Sequence, residues 1–266
     1  TLLGAPFILP VIVAVLGLLT IFGRSGLMNQ MGGAMGLPPL SIYGLQGVVL
    51  AHVFFNLPLA TRLLLQGWQD IPAERFQLAG QLSLTPRAVF LALEWPMLRA
   101  LLPGVAALIF VICLTSFAVA LTLGGGPRAT TIELAIYQAF RFDFDLGRAA
   151  LLSVVQLVLA GGAAVLALWL VPPVGLGGGL DRLTRRWDAQ DGAQRLRDAV
   201  VIALAALFLL LPLGAVVLRG LAGLLQLPAS VWQVAGNSLI VAGLSVVVLM
   251  LLALPMAGWI ATRRRG

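Results

Sequence analysis

A chain of 266 residues that is 60% hydrophobic and only 10% charged lies outside the ordinary soluble class, in which about a quarter of residues carry charge. Its mean hydropathy of +1.03 points to a bilayer. The formal charge of +7 gathers in the connections between apolar runs, which excludes a nucleic-acid binder. A hydrocarbon core roughly 30 Å thick takes about 20 apolar residues to cross as a helix. Six such runs occur, at roughly 5–22, 45–65, 100–122, 147–170, 199–218 and 237–260. Each is expected to be helical, because an open strand would leave backbone groups unpaired in lipid. The expected fold class is all-α: a polytopic membrane protein with about six transmembrane helices.

The first run ends near Gly23, and the Gly-rich stretch 24–43 with Pro38 and Pro39 reads as a loop with one interfacial turn. The second run carries His52, Asn56 and Pro58. The stretch 70–96 that follows is polar, helix-forming and longer than a return loop needs. Asp70 is a suitable N-cap with Pro72 in the first turn, and Phe76, Leu78, Ala79 and Leu82 recur at helical spacing. The run from Ser83 to Pro86 breaks this helix. Thr85 then caps a second helix that Pro96 bends or ends as it enters the membrane. The stretch is expected to lie at the membrane surface as a helix-turn-helix, with Ala79 and Gly80 exposed near the turn, docking a partner on the water side.

The third run stops at Gly124, Gly125, Gly126 and Pro127. Residues 130–145 read as a short amphipathic helix through Ile132, Leu134, Ala135, Ile136 and Phe140. The fourth run offers a small-residue face, Ala160, Gly161, Gly162 and Ala164, suited to close helix contact. Pro172, Pro173, Gly175 and Gly177 to Gly179, followed by five Arg and four Asp up to Asp198, have the composition of a linker, and a domain boundary is expected there. The chain opens on Thr1 almost directly into an apolar run, which reads as a fragment of a longer protein.

All 17 basic residues are arginine. Arg62, Arg75, Arg87 and Arg99 surround the second connection. Arg182, Arg185, Arg186, Arg195 and Arg197 occupy the fourth, and Arg263, Arg264 and Arg265 follow the last run. The remaining five are scattered over the other three connections. This is the positive-inside pattern, and it places both ends and the two long polar connections in the cytoplasm.

His52 is the only histidine, and an ionisable residue inside a membrane run is a functional candidate. Asn56, four residues on, shares its face. The pair either lines a path through the membrane or makes ordinary hydrogen bonds between helices. Phe54 and Phe55 read as packing or lipid-facing residues, and Cys113 as a packing thiol. Glu94 is either a coupling residue or a solvated or Arg-paired boundary carboxylate. Glu133, Asp143 and Asp145 either face a basic partner or are plain solvated surface. The three glycines from Gly124 lack a following Gly-Lys-Ser/Thr and are a helix stop rather than a phosphate cradle. No metal-ligand set, cofactor motif or nucleophile–base pair is visible, so no catalytic residue is expected.

The insert resembles the coupling loop of type I, MetI-like ABC importer permeases, which reads Glu-Ala-Ala, three residues, Gly, nine residues, then Ile-x-Leu-Pro. Here the register is Gln77-Leu78-Ala79, then Ser83, then Leu93-Glu94-Trp95-Pro96. Gln replaces Glu, Leu replaces the first Ala, and Ser replaces Gly. The texts YGLQGVVLAHVFFNLPLATRLLLQ (43–66), LEWPMLR (93–99) and LTLGGGPRATTIELAIYQAF (121–140) resemble the permeases of bacterial thiamine importers, which fuse two six-helix halves in one chain.

The resemblance implies that 1–171 is the later part of a first permease half, 172–198 an inter-half linker and 199–266 the start of a second half. It implies an inner-membrane protein that binds an ABC ATPase dimer through Gln77, Leu78, Ala79, Gly80, Ser83, Leu93 and Pro96. A periplasmic thiamine-binding protein would dock outside, where Gly124, Gly125, Gly126, Thr130, Thr131 and Glu133 form a docking or gate region. The cargo implied is thiamine and its phosphates. Ferric iron or polyamine on the same fold is the alternative, because the coupling loop does not encode cargo. ATP hydrolysis would reside in the separate ATPase, so the chain itself is not expected to be an enzyme.

Overall fold

The computed structural model describes residues 10–124, 129–170, 192–223 and 227–263. Gly125, Gly126, Pro127, most of the 172–198 linker, Arg264 and Arg265 lie outside the described residues. All regular structure among those described is helical. In chain order it comprises α1 (Val11–Phe22), α2 (Leu27–Ala34), α3 (Leu45–Gln69), α4 (Ala73–Gln81), α5 (Pro86–Val89), a π-helical turn (Phe90–Glu94), α6 (Trp95–Leu114), α7 (Phe117–Leu123), α8 (Ile132–Arg141), α9 (Leu146–Leu170), α10 (Gly192–Gly223) and α11 (Ala229–Arg263).

Six helical stretches are long and apolar enough to cross a membrane, so the chain is a multi-pass all-α membrane protein. The six apolar runs each find their helix, with two differences. Residues 24–43 hold a two-turn helix, α2, rather than a single turn. Asn29 pins the returning strand of this loop, donating from Nδ2 to Gly23 O and Leu40 O while its Oδ1 accepts from the Leu40 N–H. The third span is broken. Helix α6 stops at Leu114, Ser116 is extended at φ −89° and ψ 94°, and α7 begins at Phe117.

The chain divides into two units, Thr1–Val216 and Val217–Gly266. In the first, Ala14, Val15 and Leu18 of α1, Val48, Ala51 and Phe54 of α3, Val119 and Leu123 of α7 and Leu209 of α10 form one buried cluster. Phe54 is fully buried and meets Phe55 and Phe208 edge-to-face, at 5.6 and 5.7 Å between ring centres, which makes it a packing residue. Helix α1 lies so close to α10 that a Cβ on Gly17 would stand 2.7 Å from Pro212 O. The Gly44 N–H donates to Leu123 O at 2.8 Å, tying the start of α3 to the end of α7. Helix α9 packs along both α6 and α8. Its Gly161 and Gly162 have open space where a Cβ would stand. The second unit holds the end of α10 and the long α11, whose apolar side chains are largely exposed.

Candidate functional site

The insert between the second and third spans is built from both flanking helices. Helix α3 runs on to Gln69, so Asp70 closes that helix at its C-terminus instead of opening α4, and Pro72 takes the N-cap position. The two spans meet at Gly67, which is buried. A Cβ there would come within 2.6 Å of Leu101 Cδ2 and 2.9 Å of Met97 Sδ. The insert therefore emerges from a close helix crossing.

Helix α4 is amphipathic in a sense its composition left open. Ala73 and Ala79 are buried and Phe76 is half-buried, whereas Gln77, Leu78, Gln81 and Leu82 face outward. Ala79 is 3% exposed, which corrects the expectation that it lies open near the turn; Gly80 is half-buried. The outward stripe is instead made by Leu78 and Leu82, 56% and 63% exposed. They are four residues apart and so on one face. Two exposed leucines flanked by glutamines, with Glu74 and Arg75 beside them, can bind an apolar groove with a polar rim.

The turn that follows is a Schellman motif. The Leu84 N–H donates to Ala79 O and the Ser83 N–H to Gly80 O, both at 3.0 Å, the two bonds that define that closure. Ser83 holds the residue in the left-handed region, at φ +49°. A side chain costs roughly 1–2 kcal/mol there, and the related coupling-loop pattern has Gly at this position. Ser83→Gly is therefore expected to stabilise the insert by about 1 kcal/mol, read as slower hydrogen exchange at residues 79–84. Unchanged exchange would show that the turn carries no strain.

Thr85 caps the second insert helix as expected, its Oγ1 accepting from the Ala88 N–H at 3.3 Å, with Pro86 at the first position. That helix neither ends nor separates from the membrane at Pro96. It runs through a π-helical turn straight into α6, the Trp95 N–H donating to Phe90 O five residues back. Pro96 has no N–H, and its ring would crowd the carbonyl of Ala92. A widened turn just before it relieves that conflict, and such single π turns recur at functional positions. Leu93 is half-buried within the turn and Pro96 is exposed. Glu94 is only 6% exposed, which corrects its reading as a solvated carboxylate.

Asn56 is buried, and its Nδ2 donates to His52 O at 2.8 Å and lies 3.5 Å from Cys113 Sγ. His52 is half-buried, and its Nε2 has no hydrogen-bond partner among the described residues. The structure thus brings His52 and Asn56 together on α3, opposite Cys113 of α6. No three His, Cys, Asp or Glu side chains among the described residues stand close enough to share a metal.

At the other end of the third span, the Gly124 N–H closes α7 on Ala120 O at 2.9 Å. Thr130 is exposed, and Thr131 caps α8 with its Oγ1 accepting from the Leu134 N–H at 3.4 Å. Glu133 is half-buried rather than plain surface, because its Oε1 accepts from Gln156 Nε2 of α9 at 3.4 Å. Asp143 and Asp145 are exposed. Asp143 stands 3.6 Å from Arg148, and Asp145 accepts from the Arg148 N–H to cap α9. Phe140 is exposed, whereas Leu134 and Ala139 turn inward. The residue that sequence reasoning missed is Gln156, a lone amide in the apolar text SVVQLVLA. Its polarity within a membrane span was the available signal.

The class of molecule is now defined: a polytopic α-helical membrane protein with a helix-turn-helix insert between its second and third spans. Its relatives are transport permeases. The chain is 47% identical over 257 residues to the thiamine transport system permease protein ThiP of Salmonella typhimurium, covering 93% of this chain and 47% of that protein. It is 43% identical over 242 residues to ThiP of Brucella abortus, covering 90% of this chain and 45% of that protein. With ThiP of Haemophilus influenzae it shares 37% over 263 residues, 96% of this chain and 47% of that protein. The thiamine-permease resemblance read from the insert and its flanks is borne out over almost the whole chain, which spans about half the length of these curated relatives. No family model matches the chain, and no solved structure matches it.

Proposed function

We propose that this chain is part of the transmembrane permease of an ABC importer that carries thiamine and its phosphates across the bacterial inner membrane. The observation that carries the reading is the insert: an amphipathic helix with Leu78 and Leu82 outward, closed at Ser83 and followed by a short helix, α5, that runs on into a membrane span. That geometry suits a lever. A partner gripping α4 would pull on α6 through the hydrogen-bonded turn at Ser83, then α5 and the π turn.

In this reading the insert, which carries Arg75 and Arg87 and is flanked by Arg62 and Arg99, faces the cytoplasm, where an ABC ATPase dimer hydrolyses ATP and the permease itself hydrolyses nothing. A thiamine-binding protein docks on the opposite face, near Gly124, Thr130, Thr131 and Glu133. His52 and Asn56 border the path. The span up to residue 171 belongs to one permease half, 172–198 is the linker, and 199–266 opens a second half. The thiamine-permease relatives favour thiamine over ferric iron or polyamine.

Growth of a thiamine auxotroph tests it. The gene carrying this span, expressed with its ATPase and binding protein, is expected to restore growth at limiting thiamine. A complex that accumulates in the membrane yet restores none would remove the thiamine assignment.

A further inference from the structure

The break between α6 and α7 leaves the last carbonyls of α6 without an intrahelical partner, and each must find another. The last four carbonyls of α6 are all accounted for. Val111 O accepts from the Thr115 N–H at 3.1 Å and from Thr115 Oγ1 at 3.0 Å, and Ile112 O accepts from the same hydroxyl at 3.4 Å. Cys113 O accepts from the Ser116 N–H at 3.4 Å. Leu114 O takes its donor from another span: Gln156 Nε2 of α9, at 3.0 Å.

The same nitrogen reaches Glu133 Oε1 in the first turn of α8 at 3.4 Å. Both partners are pure acceptors, so the amide can sit only one way round, with nitrogen toward them. Its Oε1 is then left buried without a partner among the described residues, on a side chain that is 7% exposed. Gln156 stands ten residues into α9, roughly 15 Å along the helix axis. One side chain therefore joins three elements well inside the span.

We infer that Gln156 is a positioning residue that holds the third span broken at Thr115 and Ser116 and ties that break to α8. Resting on the transport reading above, this makes Gln156 the link through which the end of α6, the start of α8 and α9 move together. A straightened span would carry α7 away from α1 and α3, against which it packs.

The test uses the permease assembled with its ATPase and binding protein in lipid nanodiscs. Gln156→Met keeps the length and removes the amide. Amide exchange across residues 117–123 and 132–141 is expected to rise roughly tenfold, the loss of one buried hydrogen-bonded donor. ATP hydrolysis in the absence of binding protein is expected to rise with it, a change that a residue serving only stability would not produce.

The exchanged pair Gln156→Glu with Glu133→Gln restores a donor–acceptor contact between α8 and α9 but leaves Leu114 O without one, so it is expected to behave like Gln156→Met. Unchanged exchange in Gln156→Met, or full recovery in the exchanged pair, would overturn the inference. Should Gln156→Met fail to accumulate, Gln156→Asn, one methylene shorter, is read the same way. A parent complex that does not take up thiamine would overturn the transport reading instead, and the exchange result would stand apart from it.

Discussion

Leu78→Glu combined with Leu82→Glu is expected to abolish association of the permease with its ATPase while leaving membrane levels normal. Both side chains point largely outward from α4, so the double variant removes little internal packing. Burying a leucine contributes about 1.5–3 kcal/mol. Two lost, with two carboxylates to desolvate in their place, weaken docking by at least about a hundredfold. Co-purification of the ATPase and binding-protein-stimulated ATP hydrolysis both read this. A charge at Ala79 would not serve, because Ala79 is buried and such a variant would report on folding. Retained co-purification in the double variant would remove α4 as the docking helix.

Gly17→Val, at the one glycine of α1, is expected to give a large loss of stability. Its Cβ would meet the carbonyl oxygen of Pro212 at 2.7 Å and the Pro212 carbonyl carbon at 3.0 Å. Backbone cannot step aside as a side-chain tip can, so α1 and α10 must separate, and the cluster of Val15, Leu18, Phe54 and Leu209 separates with them. Overpacking of this kind costs typically 1–3 kcal/mol, a fall of roughly 2–12 °C in apparent melting temperature. Gly214→Val, on α10 with nothing within 4 Å of its Cβ, is the control and is expected to shift it little. Equal shifts in the two variants would show that the α1–α10 crossing is not tight.

Much of the architecture was legible because membrane length is a coarse, strong signal. Each of six runs of about 20 apolar residues had to become a helix. The ends were less legible: α10 begins at Gly192 and α11 at Ala229, several residues before their apolar cores, because polar residues continue a helix as readily as apolar ones. The break at Thr115 and Ser116 was invisible to hydropathy, which averages over two small polar residues within an apolar run. Pro103, the more obvious breaker, sits inside α6 without ending it.

In the insert, spacing located α4 and the caps at Thr85 and Pro86 but not which face turns inward. Phe76 with Ala79 and Leu78 with Leu82 are both plausible apolar stripes, and only the packing separates them. Ser83 was legible as a turn, and the departure from Gly there corresponds to a strained backbone. Solvation was one of the readings open for both Glu94 and Glu133, because a carboxylate in a polar connection is usually solvated. Burial of Glu94, and the reach of Gln156 to Glu133 from a helix 23 residues away in sequence, depend on tertiary contacts that no local pattern encodes.

The most direct measurement is ATP-driven uptake of labelled thiamine into proteoliposomes containing the permease that carries this span, its ATPase and its binding protein. Uptake that requires ATP and disappears in the Leu78→Glu, Leu82→Glu variant is the predicted result. Uptake that persists undiminished in that variant, or none by an intact and ATP-hydrolysing parent complex, would contradict the account.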